Sequence, residues 1–331
     1  MKKNWLAASA LAALIAVSAN GIAIGADITI RAGLTDPLDT PYGEAMLEFK
    51  RIVEEGTQGR IEVQLFPSAQ LGPVAEQLEN VKVGAQEISL FSPAYAGQFF
   101  PAFNVLELPF LVTNWDEAQA MLNSEAFDAL TSQAADTIGI KIIGNFPYGF
   151  RNIANSKHAV AEMADFKGLK LRVQNSPVHI AAFEALGASP IAIGWDETYQ
   201  AVQTGVVDGL ENANTVLVAN RFPEIAKYVS VTRHLFGMLL VSMNSKLYDG
   251  LSADDQALIH RAMEAAEAIN LSRAMEIDQG SVNALTELGA EVNEVSAESV
   301  VAMRDAMTPI YEKFGPQFEP HFSALAAAAA Q

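Results

Sequence analysis

Residues 61–91 have the sequence IEVQLFPSAQLGPVAEQLENVKVGAQEISLF, and the architecture follows from them. Apolar residues alternate with polar ones over residues 61–65, which indicates a strand, and residues 88–91 have the composition of a short buried strand. Residues 74–83 suit a helix that ends at Gly84. Because strand-helix-strand units close with right-handed crossovers, this stretch predicts a mostly parallel sheet with helices on its faces.

The alternation of strands and helices continues on both sides of this stretch. A β-rich segment at residues 28–32 precedes a helix whose start is marked by Thr40 as N-cap and Pro41 in the first turn. After Gly139 the same rhythm returns, and the predicted elements are strands at 140–143, 153–155, 169–173, 190–193 and 206–208 with helices at 178–186 and 197–203. The sequence therefore predicts an α/β fold built from two units.

Two longer segments connect these units. Residues 234–244 are an apolar stretch long enough to carry the backbone back towards the first unit. Ser252 and Asp255 resemble a capping box, and one long helix is predicted from there to residue 288, with a hinge near Gly280. The alanine-rich end after Ser323 is predicted to be a frayed terminal helix.

The composition limits the class of protein. The 331 residues include 21 basic and 39 acidic side chains, a net charge of −18, and a body this negative repels phosphate backbones and anionic lipid surfaces. We therefore expect no nucleic-acid partner. There is no cysteine, which excludes disulfides, thiolate zinc sites and iron–sulfur clusters.

The N-terminus has the layout of a secretory signal peptide. Two lysines precede an apolar run at residues 6–17, and small residues follow at 19–26. The run is shorter than the ~20 apolar residues that a membrane anchor needs. Removal of residues 1–26 leaves 19 basic and 39 acidic side chains, a charge of −20. We therefore expect a periplasmic protein that is not itself embedded in the membrane, in a compartment where ATP and NAD(P)H are not supplied.

The common catalytic signatures are missing from the sequence. There is no G-x-S-x-G, H-E-x-x-H, G-x-G-x-x-G or Walker motif. His260 and Glu264 have the spacing of a two-ligand metal site, and Asp254 with Asp255 forms an acidic pair, but solvated pairs of both kinds are common. We predict no cofactor, no metal and no catalytic residue.

Two arginines occupy positions where an anion would bind. In residues 169–173 the apolar side chains alternate, so Arg172 points away from them near the carboxyl end of its strand, where α/β sheets hold ligands. Arg151 enters the second unit from a turn at Pro147 and Gly149. A guanidinium held between units suits bidentate capture of a carboxylate, although a structural salt bridge is the alternative for each.

Three segments of the chain resemble one known family. Residues 67–72 (PSAQLG), 168–173 (GLKLRV) and 201–212 (AVQTGVVDGLEN) are similar, in this order, to the solute-binding subunits of tripartite ATP-independent periplasmic (TRAP) transporters, the DctP-like dicarboxylate-binding-protein family. The third segment is the most specific. The resemblance covers essentially the whole mature chain and implies two lobes, joined by β-strand hinges and a long spanning helix, that close on an organic acid.

The resemblance also implies site residues. Arg172 falls on the arginine that pairs with the ligand carboxylate, Arg151 on a second arginine and Asn212 on the asparagine of the third segment. Other pocket positions fall on Asn175, His234 and Trp195.

The first lobe is predicted to contribute Ser92, Tyr95 and Gln77 to the pocket. Ser92 and Tyr95 fall on positions that contact ligand in sialic-acid-binding members, which carry charged residues there. This departure argues for a smaller or less polar solute than a sialic acid.

The family resemblance implies capture of a small organic acid, a carboxylate or a sulfonate, for delivery to integral membrane TRAP subunits. The expected division is residues 27–149 and 237–277 for the first lobe and residues 150–236 and 278–331 for the second. Two alternatives are a receptor for an ATP-driven importer or chemosensor, and an extracytoplasmic lyase or hydrolase with His234 as its base.

Overall fold

The computed structural model describes residues 26–331, so the predicted signal segment lies outside the described residues except for Ala26. Within them the chain forms one mixed sheet whose strands are β1 (Ile28–Gly33), β2 (Ile61–Phe66), β3 (Ile88–Phe91), β4 (Ile140–Asn155), β5 (Lys170–Val173), β6 (Ser189–Ala192), β7 (Gly209–Ala213), β8 (Tyr228–Asn244) and β9 (Glu291–Glu294). Their order is β2-β1-β3-β8-β4-β7-β5-β6, with β9 beside β8.

The helices cover the sheet much as the sequence predicts. They are α1 (Pro41–Gly56), α2 (Val74–Val83), α3 (Pro93–Ala96), α4 (Trp115–Leu122), α5 (Glu125–Ile138), α6 (Pro177–Ala185), α7 (Trp195–Gln203), α8 (Asn214–Ala219), α9 (Ser245–Gly250), α10 (Ala253–Glu287), α11 (Ala297–Ala306), α12 (Thr308–Phe314) and α13 (His321–Ala329). Short 3-10 helices span Pro101–Glu107, Met163–Phe166, Phe222–Glu224 and Gly315–Phe318. Thr40 caps α1 as predicted, because its side chain accepts from the Gly43 N–H.

The sheet consists of two parallel parts joined by an antiparallel centre. β1 pairs in parallel with β2 and β3 in one part, and β5 pairs in parallel with β6 and β7 in the other. Between them β4 and β8 run antiparallel to each other along most of their length. β8 also pairs with β3, and β4 with β7. The two-lobed α/β fold is thus confirmed, with β4 and β8 as the strands that pass from one lobe to the other.

The prediction of separate strands at 140–143 and 153–155 is wrong, because both belong to the single 16-residue strand β4. The turn predicted at Pro147 and Gly149 is instead a β-bulge, at which the register against β8 shifts but pairing continues. Gly149 has a φ of 102° there, a conformation that glycine adopts without strain.

The strand predicted at 206–208 is also misplaced, since β7 begins at Gly209. Val206 is 57% exposed and lies in the turn after α7. The Asp208 carboxylate accepts from the Lys170 N–H at 2.9 Å, which ties this turn to the start of β5. β-branched residues are common in strands, so residue type alone predicts a strand even where such a residue lies in an exposed turn.

Helix α10 connects the two lobes as the sequence predicts. Its N-cap is Ser252, whose hydroxyl accepts from the Asp255 N–H at 3.1 Å. With 35 residues the helix is about 52 Å long, and it packs on α1 of one lobe, on β4 and on α8 of the other. The helix continues without a break through Gly280, the predicted hinge.

The C-terminal helix is not frayed, contrary to the prediction. α13 begins at His321, before the alanine-rich run, and packs on α4 and α5. Leu325 and Ala329 are buried there. Small side chains pack closely against neighbouring helices, so an alanine-rich end can dock as well as fray.

Gly237 in β8 lies opposite Gly149, where the chain crosses between lobes. A Cβ atom at Gly237 would lie 2.0 Å from Cε2 of Tyr148, so the Tyr148 ring occupies the space of the missing side chain. The Tyr148 hydroxyl accepts from Nη1 of Arg151 at 2.6 Å, which links this glycine to the side chains between the lobes.

We expect Gly237→Ala to lower the free energy of unfolding by about 1–3 kcal/mol, because the added methyl group displaces the Tyr148 ring. Urea unfolding at neutral pH measures this change. Gly280→Ala is the matched control: nothing lies within 4 Å of its added Cβ, and alanine in a helix should stabilise by about 0.5–1 kcal/mol. A Gly237→Ala protein as stable as the wild type would contradict the packing.

Candidate functional site

A cavity lies between the two lobes, a place where small-molecule sites commonly form. The carboxyl ends of β1 and β3 reach it from the first lobe and that of β5 from the second, as expected for α/β sheets. Six of the nine predicted site residues line this cavity: Arg172, Arg151, Asn212, Trp195, Ser92 and Tyr95.

Arg172 enters the cavity from β5. Its neighbours Leu171 and Val173 belong to the hydrophobic core, so strand alternation places Arg172 on the opposite face. Nε donates to the Ile193 carbonyl at 2.9 Å, and the guanidinium carbon lies 5.7 Å from the Trp195 ring centre, in cation–π range. Burial lowers the pKa of Arg172, but a guanidinium remains protonated at neutral pH. Within residues 26–331 it forms no ion pair.

Arg151 is paired inside the protein. Its Nε and Nη2 contact the two carboxylate oxygens of Glu211 at 2.5 and 2.6 Å, a bidentate pair, and Nη2 also donates to the Glu211 carbonyl at 2.9 Å. Nη1 donates to the Tyr148 hydroxyl at 2.6 Å and to Asn212 Oδ1 at 3.0 Å. All five donors of the guanidinium therefore have partners.

Arg151 and Glu211 each stabilise the charged form of the other. Burial alone would raise the pKa of Glu211, but the positive charge of Arg151 and a hydrogen bond from His234 hold it well below its usual range. Burial likewise acts to lower the pKa of Arg151, and Glu211 raises it overall. Burial also raises the pKa of Tyr148 to about 12, so its hydroxyl stays protonated.

Two amides complete the wall of the second lobe. Asn212 Oδ1 accepts from the Ala213 N–H at 2.9 Å as well as from Arg151, which fixes the amide and leaves its NH₂ as a donor. The Gln174 amide is oriented so that both of its polar atoms form hydrogen bonds. Its nitrogen donates to Ser92 Oγ at 2.8 Å, and its oxygen accepts from Arg151 at 3.2 Å. Gln174 therefore connects the lobes.

The two lobes contact each other directly around the cavity. The Tyr95 hydroxyl, in α3 of the first lobe, accepts from the Trp195 N–H at the start of α7 in the second lobe, at 3.1 Å. The Asn220 amide, after α8, donates to Asp36 Oδ1 at 3.1 Å. These contacts define a closed arrangement of the lobes.

Sequence reasoning missed several residues that line the cavity: Asp36, Tyr42, Tyr148 and Gln174. Asp36 follows β1 and is only 5% exposed. Burial raises its pKa, and hydrogen-bond donors, Tyr42 first among them, act in the opposite direction. A polar residue in an irregular loop has no periodicity, so only its place beyond the carboxyl end of a predicted strand signals a site.

The other three predicted residues lie elsewhere. Asn175 is exposed, although it follows β5 directly. Gln77 is buried in the first lobe, where its Nε2 donates to the Gly72 carbonyl at 2.7 Å. His234 lies behind Glu211, with Nε2 3.4 Å from Oε2 of that carboxylate and Nδ1 2.8 Å from the Thr232 hydroxyl.

Behind the Arg151–Glu211 pair is a second, smaller cavity, lined by His234 and His179 among other residues. Nε2 of His179 lies 2.6 Å from a carboxylate oxygen of Glu107, but the ring is not aligned for a hydrogen bond. Burial lowers the pKa of His234, which favours its neutral form. Among the described residues, the two cavities share no lining side chain.

Two α/β lobes with a cavity between them, lined by a buried arginine for which residues 26–331 supply no ion-pair partner, are typical of a solute-binding protein. The chain belongs to the family described as bacterial extracellular solute-binding protein, family 7 (DctP), whose model matches residues 33–317. Members of this family bind solutes rather than convert them. Among the described helices, none combines the length and apolar character that a bilayer crossing requires.

Relatives of known name agree with this assignment. The chain is 31% identical over 280 residues to the C4-dicarboxylate-binding periplasmic protein DctP of Rhodobacter capsulatus, covering 83% of each chain. It is 32% identical over 251 residues to the 2,3-diketo-L-gulonate-binding periplasmic protein YiaO of Escherichia coli, covering 75% of each.

Solved structures confirm the two-lobed fold and the resemblance to TRAP proteins. The sugar acid binding protein DctPAm of Advenella mimigardefordensis, in complex with galactonate, has a TM-score of 0.88 and 28% identity, covering 91% of this chain and 97% of that one. A TRAP periplasmic solute binding protein of Sulfitobacter with bound β-D-galacturonate has a TM-score of 0.84 and 29% identity, covering 91% and 98%.

Proposed function

We propose that this chain captures a small organic acid anion in the periplasm and delivers it to the integral membrane subunits of a TRAP transporter. The observation that carries the proposal is Arg172: a buried guanidinium that lines the cavity between the lobes and has no ion-pair partner within residues 26–331. A buried charge without a partner is costly, and the carboxylate of a solute would supply that partner.

Three further residues are proposed to contact the solute. Asn212 offers its NH₂ group, and Ser92 and Tyr95 offer hydroxyl groups from the first lobe. Arg151 is proposed to position Asn212 and Tyr148, since all its donors are occupied. Trp195 forms the wall over Arg172. Asn175, Gln77 and His234 have no such geometric support.

We propose that the lobes close when solute is bound, and that the closed form distinguishes the loaded protein from the empty one. The proposed division is the one predicted at residues 149/150 and 236/237, which coincides with the Gly149–Gly237 pair of β4 and β8. A solute that contacts both lobes favours the closed arrangement by its differential affinity, and the membrane subunits would bind that form. The lyase or hydrolase alternative lacks support, because His234 does not line the cavity.

We expect organic acids that bind to raise the melting temperature of the mature protein by a few degrees, because a solute at 100 times its Kd adds about 2.7 kcal/mol. A thermal-shift screen of carboxylates, sugar acids and sulfonates measures this. Mass spectrometry of the recovered solute should show no new compound. A chemically changed solute would overturn the binding function.

A further inference from the structure

A groove adjoins the cavity between the lobes on its outer side. Residues of both lobes line this outer groove, among them Pro37, Pro73, Tyr199, Asn220 and Phe222. The two prolines are exposed, whereas their chain neighbours Asp36 and Val74 are buried and line the cavity itself. The outer groove is therefore a continuation of the same cleft towards the surface.

Two residues, Thr35 and Trp195, line both the cavity and the outer groove. The half-buried Trp195 ring contacts both spaces. Its centre lies 5.7 Å from the guanidinium carbon of Arg172 in the cavity and 5.7 Å from the ring centre of Phe222 in the groove. Because the threonine side chain is short, the indole ring supplies most of the partition between the two spaces.

Several contacts hold the Trp195 ring across the cleft. Its backbone N–H donates to the Tyr95 hydroxyl of the other lobe at 3.1 Å. Beside it, the Asn220 amide donates to Asp36 Oδ1 at 3.1 Å, which also joins the lobes. The indole packs at 47° on the Phe222 ring, which is only 1% exposed and so gives it a fixed support.

The outer groove has a different chemical character from the cavity. No lysine or arginine lines it within residues 26–331, and its charged residue is Asp196. Proline and aromatic side chains form much of its walls, so it suits an uncharged, apolar chain. Each methylene group moved from water onto an apolar surface strengthens binding about fourfold. Without a partition, longer acids would therefore bind more tightly.

We propose that Trp195 limits the length of the acid that the closed protein encloses. The acid group lies at Arg172, the far end of the solute stops against the indole ring, and the ring keeps the outer groove apart from the cavity. This inference rests on the proposed function, since it concerns the same cleft. Trp195 is then a residue that determines specificity, and it acts by occupying space.

Two series of acids that differ in length test this limit. They are the straight-chain alkanoates with three to ten carbons and the aldonates with three to seven carbons. Calorimetry on residues 27–331 at pH 7.5 should show, in a series that binds, an optimum length beyond which two added carbons lower the affinity tenfold or more. An affinity that keeps rising to the longest acid would overturn the proposal.

Trp195→Ala tests the residue itself, because it joins the two spaces. Acids two carbons longer than the wild-type optimum should bind to this variant at least tenfold more tightly than to the wild type. Acids of the optimum length should bind less tightly, because the ring over Arg172 is lost. If the alanine variant does not fold, Trp195→Leu should shift the optimum in the same direction.

Tyr199→Ala is the matched control. Tyr199 lies on the same helix as Trp195 and packs on the same Phe222 ring, but it lines the outer groove and not the cavity. Its loss should leave the optimum length unchanged. An optimum that also stays the same in a folded Trp195 variant would contradict the assignment.

The same titrations separate the two proposals. If acids bind and Arg172→Lys weakens that binding, but length has no limit, the role of Trp195 is wrong while the capture of organic acids stands. If no acid of either series binds to the wild type, both are wrong.

Discussion

Replacing Arg172 with alanine is expected to weaken solute binding by thirtyfold to a few thousandfold, or about 2–5 kcal/mol. The guanidinium is 1% exposed and has no ion-pair partner in residues 26–331, so the solute carboxylate would lose its positive partner at a buried position. At an effective dielectric of about 20, a charge pair 4 Å apart contributes about 4 kcal/mol, whereas surface charges beyond about 8 Å are screened. The net negative charge of the chain therefore does not prevent anion binding.

Calorimetry with an acid identified by the thermal-shift screen measures this loss. Arg172→Lys should also weaken binding, because an ammonium group cannot reproduce the planar, bidentate contact. Arg261→Ala is the matched control, since Arg261 is exposed on α10 and its loss changes the net charge equally. Unchanged affinity in the Arg172→Ala protein would show that the carboxylate binds elsewhere.

The parts of the site that could be predicted share a strong local pattern. Alternation along β5 identifies Arg172 as the polar residue between core side chains, and the 201–212 segment locates Asn212 through its resemblance to a family. The strand-helix rhythm gives the parallel part of each lobe. Each of these signals is a property of a few consecutive residues, which a single sequence shows directly.

The parts that could not be predicted depend on distant pairings. Glu211 has its role only because β7 pairs with β4 and brings it beside Arg151, 60 positions away in the chain. Asp36 has a hydrogen-bond partner in the other lobe, Asn220, which is 184 positions away in the chain. The continuity of β4 depends on β8, which keeps pairing across the bulge at Gly149. Local residue types contain none of this information, and Pro147 and Gly149 by themselves predict a turn.

The second large effect is expected at Glu211, which is fully buried and forms the bidentate pair with Arg151. Glu211→Ala leaves a buried guanidinium without its carboxylate, and we expect the free energy of unfolding to fall by about 3–5 kcal/mol. Guanidinium chloride unfolding at pH 7 measures the change. Solute binding should weaken as well, because Arg151 also holds Asn212 and Tyr148 in place.

The stabilising effect of Glu211 should depend on pH in a definite direction. Burial opposes ionisation, but Arg151 and His234 lower the pKa of Glu211 below its usual value of 4.5, so the carboxylate stabilises the folded state above that pH. As the pH falls below about 4.5, the unfolded chain takes up a proton that the folded chain does not, and the stabilisation decreases. The difference in unfolding free energy between wild type and Glu211→Gln should therefore be constant from pH 8 to about pH 5 and become smaller below that range. A difference that grows on acidification would contradict the depressed pKa.

Removing both charges of the pair separates the cost of an unpaired arginine from the value of the pair itself. Replacing a buried ion pair with apolar residues of similar volume is often close to neutral, so Arg151→Met with Glu211→Met should lose much less stability than Glu211→Ala alone. The double variant should nevertheless bind solute poorly, because Asn212 Oδ1 and the Tyr148 hydroxyl lose their common donor. Full affinity in a stable double variant would mean that the pair only fills the interior, and that Asn212 and Arg172 are positioned without it.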